Sequence, residues 1–143
     1  MQLKDIMTRN PDVVRPDDNV RTAATKMAEL NVGVLPVTEG DRLMGIVTDR
    51  DIIIRAVAPG LDPASARIRD VMTSNPTVIY EDQTIQEAAQ MMGQQQIRRL
   101  PVLDRNRRLV GIVSLGDLAV DTGDEKLAAE TLKEISEPAE PNR

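Results

Sequence analysis

An internal repeat constrains this chain more than any other feature of its sequence. The segment DIMTRNP at 5–11 returns as DVMTSNP at 70–76, and LPV at 35–37 returns at 100–102. After one extra residue in the second copy, GIVT at 45–48 matches GIVS at 111–114. Each copy is small for an independent hydrophobic core. The repeat therefore predicts two similar units that pack together with pseudo-twofold symmetry.

The pattern of apolar residues predicts the same elements in each copy. Apolar residues at 20, 23, 24 and 27, and again at 85, 88, 89 and 92, have the spacing of one helix face. Each helix is preceded by a short strand candidate, at 13–14 and 78–79, and is followed by two apolar runs around a turn. Thr84-x-x-Glu87 predicts a capping box at the start of the helix in the second copy. A further helix then follows in each copy, at 49–57 and 115–120. The predicted fold is mixed α+β (α/β), with the order β-α-β-β-α in each copy.

Charge and turn residues set the predicted boundaries. The copies run over 1–57 and 68–121, and the Pro- and Gly-containing stretch at 58–67 is a linker. Residues 122–143 read as an acidic amphipathic helix with a disordered end. Of the net charge of −5, −4 falls within 121–143, where seven acidic residues accompany three basic ones. The body of the chain is thus almost neutral, which disfavours nucleic-acid binding.

Missing residue types exclude several classes of function. The 143 residues include no Cys, His, Trp or Phe and a single Tyr. Disulfides, His-dependent catalytic triads and structural zinc sites are therefore excluded. No segment is long and apolar enough to span a bilayer, and the first residues lack the apolar region of a secretory signal. We expect a soluble cytoplasmic protein without a membrane partner.

Three motifs, in the same order in both copies, carry a family resemblance. They are Asp-(Ile/Val)-Met-Thr-x-Asn-Pro, the Leu-Pro-Val strand and Gly-Ile-Val-(Thr/Ser)-x-x-Asp. With them, residues 3–120 resemble a stand-alone pair of CBS domains, a Bateman module, as found in small bacterial proteins. Some of those proteins are linked to stress or hypoxia responses. The resemblance implies a regulatory module that binds an adenine nucleotide between its two units.

The chemistry of Thr/Ser-x-x-Asp fits such a ligand. The motif lies where a strand ends and a helix begins, so its hydroxyl can cap the helix or donate to a phosphate. An Asp one turn later can accept from both hydroxyls of a ribose, since an ionised carboxylate has several acceptor sites. The alternative is a plain helix cap, because capping uses the same residue types.

The resemblance also implies two sites, each combining the Thr/Ser-x-x-Asp motif of one copy with early segments of the other. Site one would contain Thr48, Asp51, Thr73, Val78, Ile97, Arg98 and Arg99. Site two would contain Ser114, Asp117, Thr8, Val13, Val32 and Gly33.

The arginines distinguish the two predicted sites. Arg98 and Arg99 align with Gly33 and Val34, so only site one offers guanidinium groups to a phosphate. Site one is expected to take AMP, ADP or ATP. Site two is expected to be empty, weaker or suited to a less charged ligand such as S-adenosylmethionine. The alternative is that both arginines are solvated edge charges.

Other functions stay open at this point. No P-loop and no G-x-G-x-x-G is present, so we expect no enzyme, no required cofactor and no metal site. NAD as the ligand, or a protein-interaction module without a ligand and with the acidic tail as its contact, are the alternatives. The resemblance also implies a homodimer of four CBS units. Its candidate surface is Ile52, Ile53, Ile54, Val57, Leu115 and Leu118.

Overall fold

A computed structural model describes residues 1–138 of the chain. Its elements follow in this order: β1 (Thr8–Arg9), α1 (Val20–Leu30), β2 (Val34–Glu39), β3 (Arg42–Thr48), α2 (Asp49–Ile52), β4 (Thr73–Ser74), β5 (Ile79–Tyr80), α3 (Ile85–Gln95), β6 (Arg99–Leu103), β7 (Leu109–Ser114), α4 (Leu115–Asp121) and α5 (Glu125–Ser136). A π-helical turn, Ile53–Val57, continues α2, and short 3-10 turns span Leu3–Asp5 and Ile68–Asp70. The mixed α+β prediction is confirmed.

The chain forms two compact units whose limits differ from those of the sequence copies. The smaller unit is Pro11–Pro76, and the larger unit joins Met1–Asn10 to the chain from Thr77 onward. The first motif segment of the chain thus folds with the second copy, and the second motif segment folds with the first. The division of the chain into repeated sequence copies therefore differs from its division into compact units.

The smaller unit is built on a sheet with the strand order β2-β3-β4. Strands β2 and β3 form an antiparallel hairpin, and Gly40 in its turn has φ 61°. The expected strand at Val13–Val14 is a single bridge, in which Val14 pairs in parallel with Val37. The core is aliphatic and includes Val20, Leu35 and Ile68.

The larger unit has a four-stranded sheet with the order β1-β7-β6-β5. Strands β5 and β6 are parallel, and the other neighbours are antiparallel. The capping box expected at Thr84 is present, with Thr84 Oγ1 accepting from the Glu87 amide at 3.1 Å. The core includes Ile79, Met92 and Leu100, and Ile135 of α5 belongs to it.

The helix expected within 122–143 is present as α5. The end that was predicted to be disordered includes residues 139–143, which lie outside the described part of the chain. α5 packs along α3, where Ala89 and Gly93 are buried. The equivalent α1 residues in the smaller unit, Ala24 and Ala28, are exposed. Of the adjacent apolar positions expected on one face of each helix, 23–24 and 88–89, both are buried only in α3.

The helix expected at 49–57 changes from α to π geometry at Ile53, with the Ala58 amide donating to the Ile53 carbonyl at 2.8 Å. Ile53, Ile54 and Val57 are exposed there. Ile52 and Leu118 are buried in their unit cores, so both are corrected from the expected dimer surface. In residues 1–138, no helix has the length and apolar character that a bilayer crossing requires.

Candidate functional site

Each Thr/Ser-x-x-Asp motif forms a reciprocal capping box at the end of a strand. In the smaller unit, Thr48 Oγ1 accepts from the Asp51 amide and Asp51 Oδ2 accepts from the Thr48 amide, both at 3.0 Å. In the larger unit, Ser114 Oγ accepts from the Asp117 amide at 3.1 Å and Asp117 Oδ2 accepts from the Ser114 amide at 2.8 Å. All four residues are partly buried.

The capping role leaves binding capacity unused. Each hydroxyl accepts one bond and keeps its proton to donate. Each carboxylate uses Oδ2, and Oδ1 accepts no hydrogen bond from the residues that the structure describes. Helix capping and ligand contact are therefore compatible at both motifs.

The motif threonines Thr8 and Thr73 lie on strands beside the two capping boxes. Thr8 of β1 pairs with Ile112, two residues before Ser114, and Thr73 of β4 pairs with Ile46, two residues before Thr48. Both threonines are exposed. Strands β1 and β4 thus each bring one more hydroxyl to the end of the sheet that carries the capping box.

The glycine of each Gly-Ile-Val motif permits this strand pairing. A Cβ added at Gly111 would lie 2.8 Å from the Thr8 carbonyl oxygen, and one added at Gly45 would lie 2.5 Å from the Thr73 carbonyl oxygen. Real Cβ atoms essentially never come so close to another atom. The motif therefore needs glycine for close approach of the neighbouring backbone.

A residue that the sequence reasoning missed holds the segment before Thr73. Arg55, in the π-helical turn, donates through Nη1 to the carbonyl oxygens of Val71 and Met72, at 3.1 Å each. Its equivalent in the second copy is Asp121, which cannot donate in this way. Arg55 therefore positions the β4 segment in the smaller unit only, and no motif in the sequence indicates this contact.

Arg98 and Arg99 lie beside Ser114 in the larger unit. Arg99 is the cross-strand partner of Ser114, and the Arg98 carbonyl accepts from the Leu115 amide at 2.8 Å. Both side chains are exposed, and within residues 1–138 neither makes a side-chain hydrogen bond or ion pair. Two guanidinium groups are therefore available next to the Ser114–Asp117 capping box.

The equivalent position in the smaller unit carries the opposite charge. Val34 pairs with Thr48, and the Gly33 carbonyl accepts from the Asp49 amide at 2.9 Å. A Cβ added at Gly33 would lie 2.9 Å from Asp49 Oδ2, so the Asp49 carboxylate lies directly over this glycine. The copies thus present two arginines in the larger unit and an acidic group in the smaller one.

The apolar residues expected around adenine are divided between the units. Val13 and Val32 belong to the smaller unit, and Val78 and Ile97 belong to the larger unit. Val32 is exposed and the other three are partly buried. Predicted sites one and two each combine residues of both units, so this grouping stays a prediction.

A groove of about 450 Å³ opens in the larger unit beside the arginines. Arg98, Arg99 and Ser114 line one part of it. Ala128, Ala129 and Leu132 of α5 line another part. The periodicity of the tail predicts a helix but not the surface that the helix covers, so these three residues were missed.

The resolved pKa shifts of carboxylates fall after β5, at the start of α3 and in the turn between β6 and β7. Hydrogen bonding from the Arg108 backbone lowers the pKa of Asp104. A hydrogen bond from Arg105 lowers the pKa of Asp82, and one from Gln83 lowers that of Glu87. These carboxylates thus stabilise turns and helix starts. No cluster of three metal-ligating side chains occurs in the part of the chain that the structure describes.

Comparison with protein families identifies both sequence copies. The model of the CBS domain matches residues 3–57 and 68–120. A CBS domain-containing protein of Bacillus subtilis, YhcV, is 41% identical over 134 residues, which is 94% of each chain. Hypoxic response protein 1 of Mycobacterium tuberculosis is 38% identical over 117 residues, which is 81% of each chain.

Solved structures with ligands share this fold. The structure of CBSX2 in complex with AMP matches with a TM-score of 0.76 and 27% identity, over 87% of this chain and 98% of that one. The CBS domain pair of MJ0100, in complex with 5'-methylthioadenosine and S-adenosyl-L-methionine, matches with a TM-score of 0.75 and 29% identity, over the same shares.

Proposed function

The chain belongs to the CBS domain family, and on that premise we propose that it is a non-enzymatic sensor of an adenine nucleotide. Proteins made of a CBS pair are regulatory modules. Two similar pairs bind AMP, or S-adenosylmethionine together with methylthioadenosine. AMP, ADP and ATP are the proposed ligands here, and ligand binding would shift the module between two conformations or assemblies.

The observation that carries this proposal is the group of donors in the larger unit. Within residues 1–138, Arg98 and Arg99 are two guanidinium groups without a hydrogen-bond or ion-pair partner, and Ser114 adds a hydroxyl proton. Charge-assisted, bidentate contacts of this type favour a phosphate over a neutral group. The free oxygen of Asp117 would accept from a ribose hydroxyl. We therefore assign the phosphorylated ligand to Arg98, Arg99, Ser114 and Asp117, with Thr8 as a further donor.

The smaller unit supports a different preference. Its Thr48–Asp51 capping box has the same form, but the Asp49 carboxylate lies over Gly33, the counterpart of Arg98. A negative group at that position repels phosphate. A ligand with a positive charge, such as S-adenosylmethionine, fits this unit better than a nucleotide does.

Titration of the purified protein tests the proposal. With one Tyr and no Trp, the protein absorbs little near-ultraviolet light, so retained adenine would be evident in its absorbance spectrum. Calorimetry with AMP, ADP, ATP, NAD and S-adenosylmethionine then follows. Arg99→Ala should weaken AMP binding by about tenfold or more, in the range for hydrogen bonds to charged groups. Arg107→Ala, an exposed arginine on the same unit, is the matched control.

Two variants separate the groupings of the arginines. Asp117→Ala should weaken AMP binding if the arginines act with the second motif, as proposed. Asp51→Ala should weaken AMP binding instead if the arginines act with the first motif, as in predicted site one. If none of the tested compounds binds, the sensor proposal is wrong and a protein-interaction module takes its place.

A homodimer is the second part of the proposal. Ile53, Ile54 and Val57 are 59%, 50% and 60% exposed within one five-residue turn. The equivalent residues of the second copy are Ala119, Val120 and Gly123. Of these, Ala119 lines the groove beside α5. The described residues of the smaller unit contain no helix equivalent to α5, so we infer that a second copy of the chain covers this surface.

A further inference from the structure

Helix α5 is anchored to the larger unit by one of its faces. Ala128, Thr131 and Ile135 are buried, and Ile135 belongs to the core of the unit. Gln96, at the end of α3, donates through Nε2 to the carbonyl oxygens of Glu134 at 3.3 Å and Glu137 at 2.6 Å. A Cβ at Gly93 would overlap the Glu134 carboxylate, so α5 lies close against α3. The helix is therefore an integral part of this unit.

A second side of α5 faces the groove that contains the arginines. Leu132 is 42% exposed although it is apolar, and Ala129 beside it is exposed too. Both line the groove together with Arg98, Arg99 and Ser114, and Ala119 of α4 lines it as well. The groove thus has cationic and hydroxyl donors in one part and an aliphatic wall in another.

This combination suits one class of ligand. Guanidinium groups bind a phosphate, and an aliphatic wall gains free energy by covering a flat apolar ring, which removes apolar surface from water. Inorganic phosphate would use the arginines alone, whereas a nucleoside monophosphate would use both parts. The smaller unit has neither feature in the described residues, because Gly33 and Val34 stand at the positions of Arg98 and Arg99 and no α5 equivalent is present there.

We propose that α5 forms a wall of the nucleotide site in the larger unit, so that ligand binding and α5 packing stabilise each other. The inference rests on the proposed function and adds the element that responds to the ligand. If the ligand contacts α5, each process strengthens the other by the same factor, because coupling free energy is reciprocal. Occupancy of the site would thus be read out as the stability of the C-terminal helix.

Hydrogen exchange of the full chain tests the coupling. Addition of AMP should slow exchange of the α5 amides several-fold, and inorganic phosphate at matched saturation of the arginines should slow it much less. Arg98→Ala with Arg99→Ala should abolish the effect of AMP on α5. Unchanged exchange in α5 at full AMP occupancy would overturn the inference and leave the proposed function intact.

Calorimetry on two neighbouring α5 variants provides the second test. Leu132→Gln makes the groove wall polar without adding charge, and we expect it to weaken AMP binding about fivefold or more while phosphate binding stays the same. Lys133→Gln, the next residue, is exposed and does not line the groove, so it should leave both affinities unchanged. Equal AMP affinity in the two variants would contradict the inference. Failure of AMP, ADP and ATP all to bind the unmodified protein would refute both proposals.

Discussion

Ser114 and Asp117 exchange two hydrogen bonds across the start of α4. The Ser114 amide donates to Asp117 Oδ2 at 2.8 Å, and the Asp117 amide donates to Ser114 Oγ at 3.1 Å. This arrangement stabilises the first turn of α4 and also holds the hydroxyl and the carboxylate in fixed orientations beside Arg99. A rigid capping box is therefore a suitable support for ligand-binding groups.

Ser114→Ala should affect both stability and binding. Loss of the cap should lower the free energy of unfolding by about 1 kcal/mol. Loss of the donor to phosphate should weaken AMP binding by about tenfold or more. Thr48→Ala removes the equivalent cap in the smaller unit, so it should cost similar stability with little effect on AMP affinity. Urea denaturation and calorimetry measure the two effects, and equal loss of AMP affinity in both variants would contradict the assignment.

Gly111→Ala should destabilise the larger unit. The new Cβ would lie 2.6 Å from Met7 Sδ and 2.8 Å from the Thr8 carbonyl, so β1 would have to move. The expected loss is about 1–3 kcal/mol, typical of overpacking. Gly116→Ala is the control, because its new Cβ would lie at ordinary contact distance, 3.5 Å, from Ser114 Oγ and because alanine favours a helix. Chemical denaturation should show a lower midpoint for Gly111→Ala only.

Ile135→Ala should destabilise the protein by about 2–5 kcal/mol, the cost of a large-to-small change in a core. The side chain is buried in the core of the larger unit although it lies close to the chain end. Lys133→Ala, on an exposed part of α5, should leave stability almost unchanged. A thermal melt of each variant provides the comparison. If Ile135→Ala melts like the unmodified protein, α5 does not pack on the core.

Ile54→Ser should weaken self-association, because it removes apolar surface from the proposed dimer contact. The matched control is Val120→Ser, which changes the equivalent residue of the second copy, itself 81% exposed. Light scattering at micromolar concentration should give a smaller mean mass for Ile54→Ser than for Val120→Ser. A monomeric unmodified protein, or equal effects of the two changes, would show that this surface is not the contact.

Acid should weaken the β6–β7 hairpin. The hydrogen bond from the Arg108 backbone amide lowers the folded-state pKa of Asp104, so the stabilisation is complete above its unfolded pKa of about 3.9. It is lost as the pH falls through the folded pKa, because the unfolded state then binds the proton more readily. Asp104→Asn should make stability less dependent on pH in this acid range. Denaturation at a series of pH values measures this, and an unchanged slope would contradict the role of Asp104.

Local sequence signals predicted much of this molecule. The apolar spacing of α1 and α3, the capping residue Thr84 and the turn at Gly40 each depend on residues within a few positions of one another. The two-residue strands β1 and β4 were not predicted, because they consist of exposed polar residues and exist only through their partner strands. The π-helical turn at Ile53 was missed for a similar reason, since a continuous apolar run does not distinguish α from π geometry.

By itself, the sequence determined the repeat, the fold family and the residue types that can meet a nucleotide, since all of these are written in motifs and periodicity. Only the tertiary structure decided that Thr8 pairs beside β7, that Arg99 lies across from Ser114 and that Leu132 of α5 lines the same groove. Those relationships depend on strand pairing and helix packing between residues far apart in the chain. A linear pattern specifies which side chains are available, whereas the backbone contacts that form on folding select which of them meet.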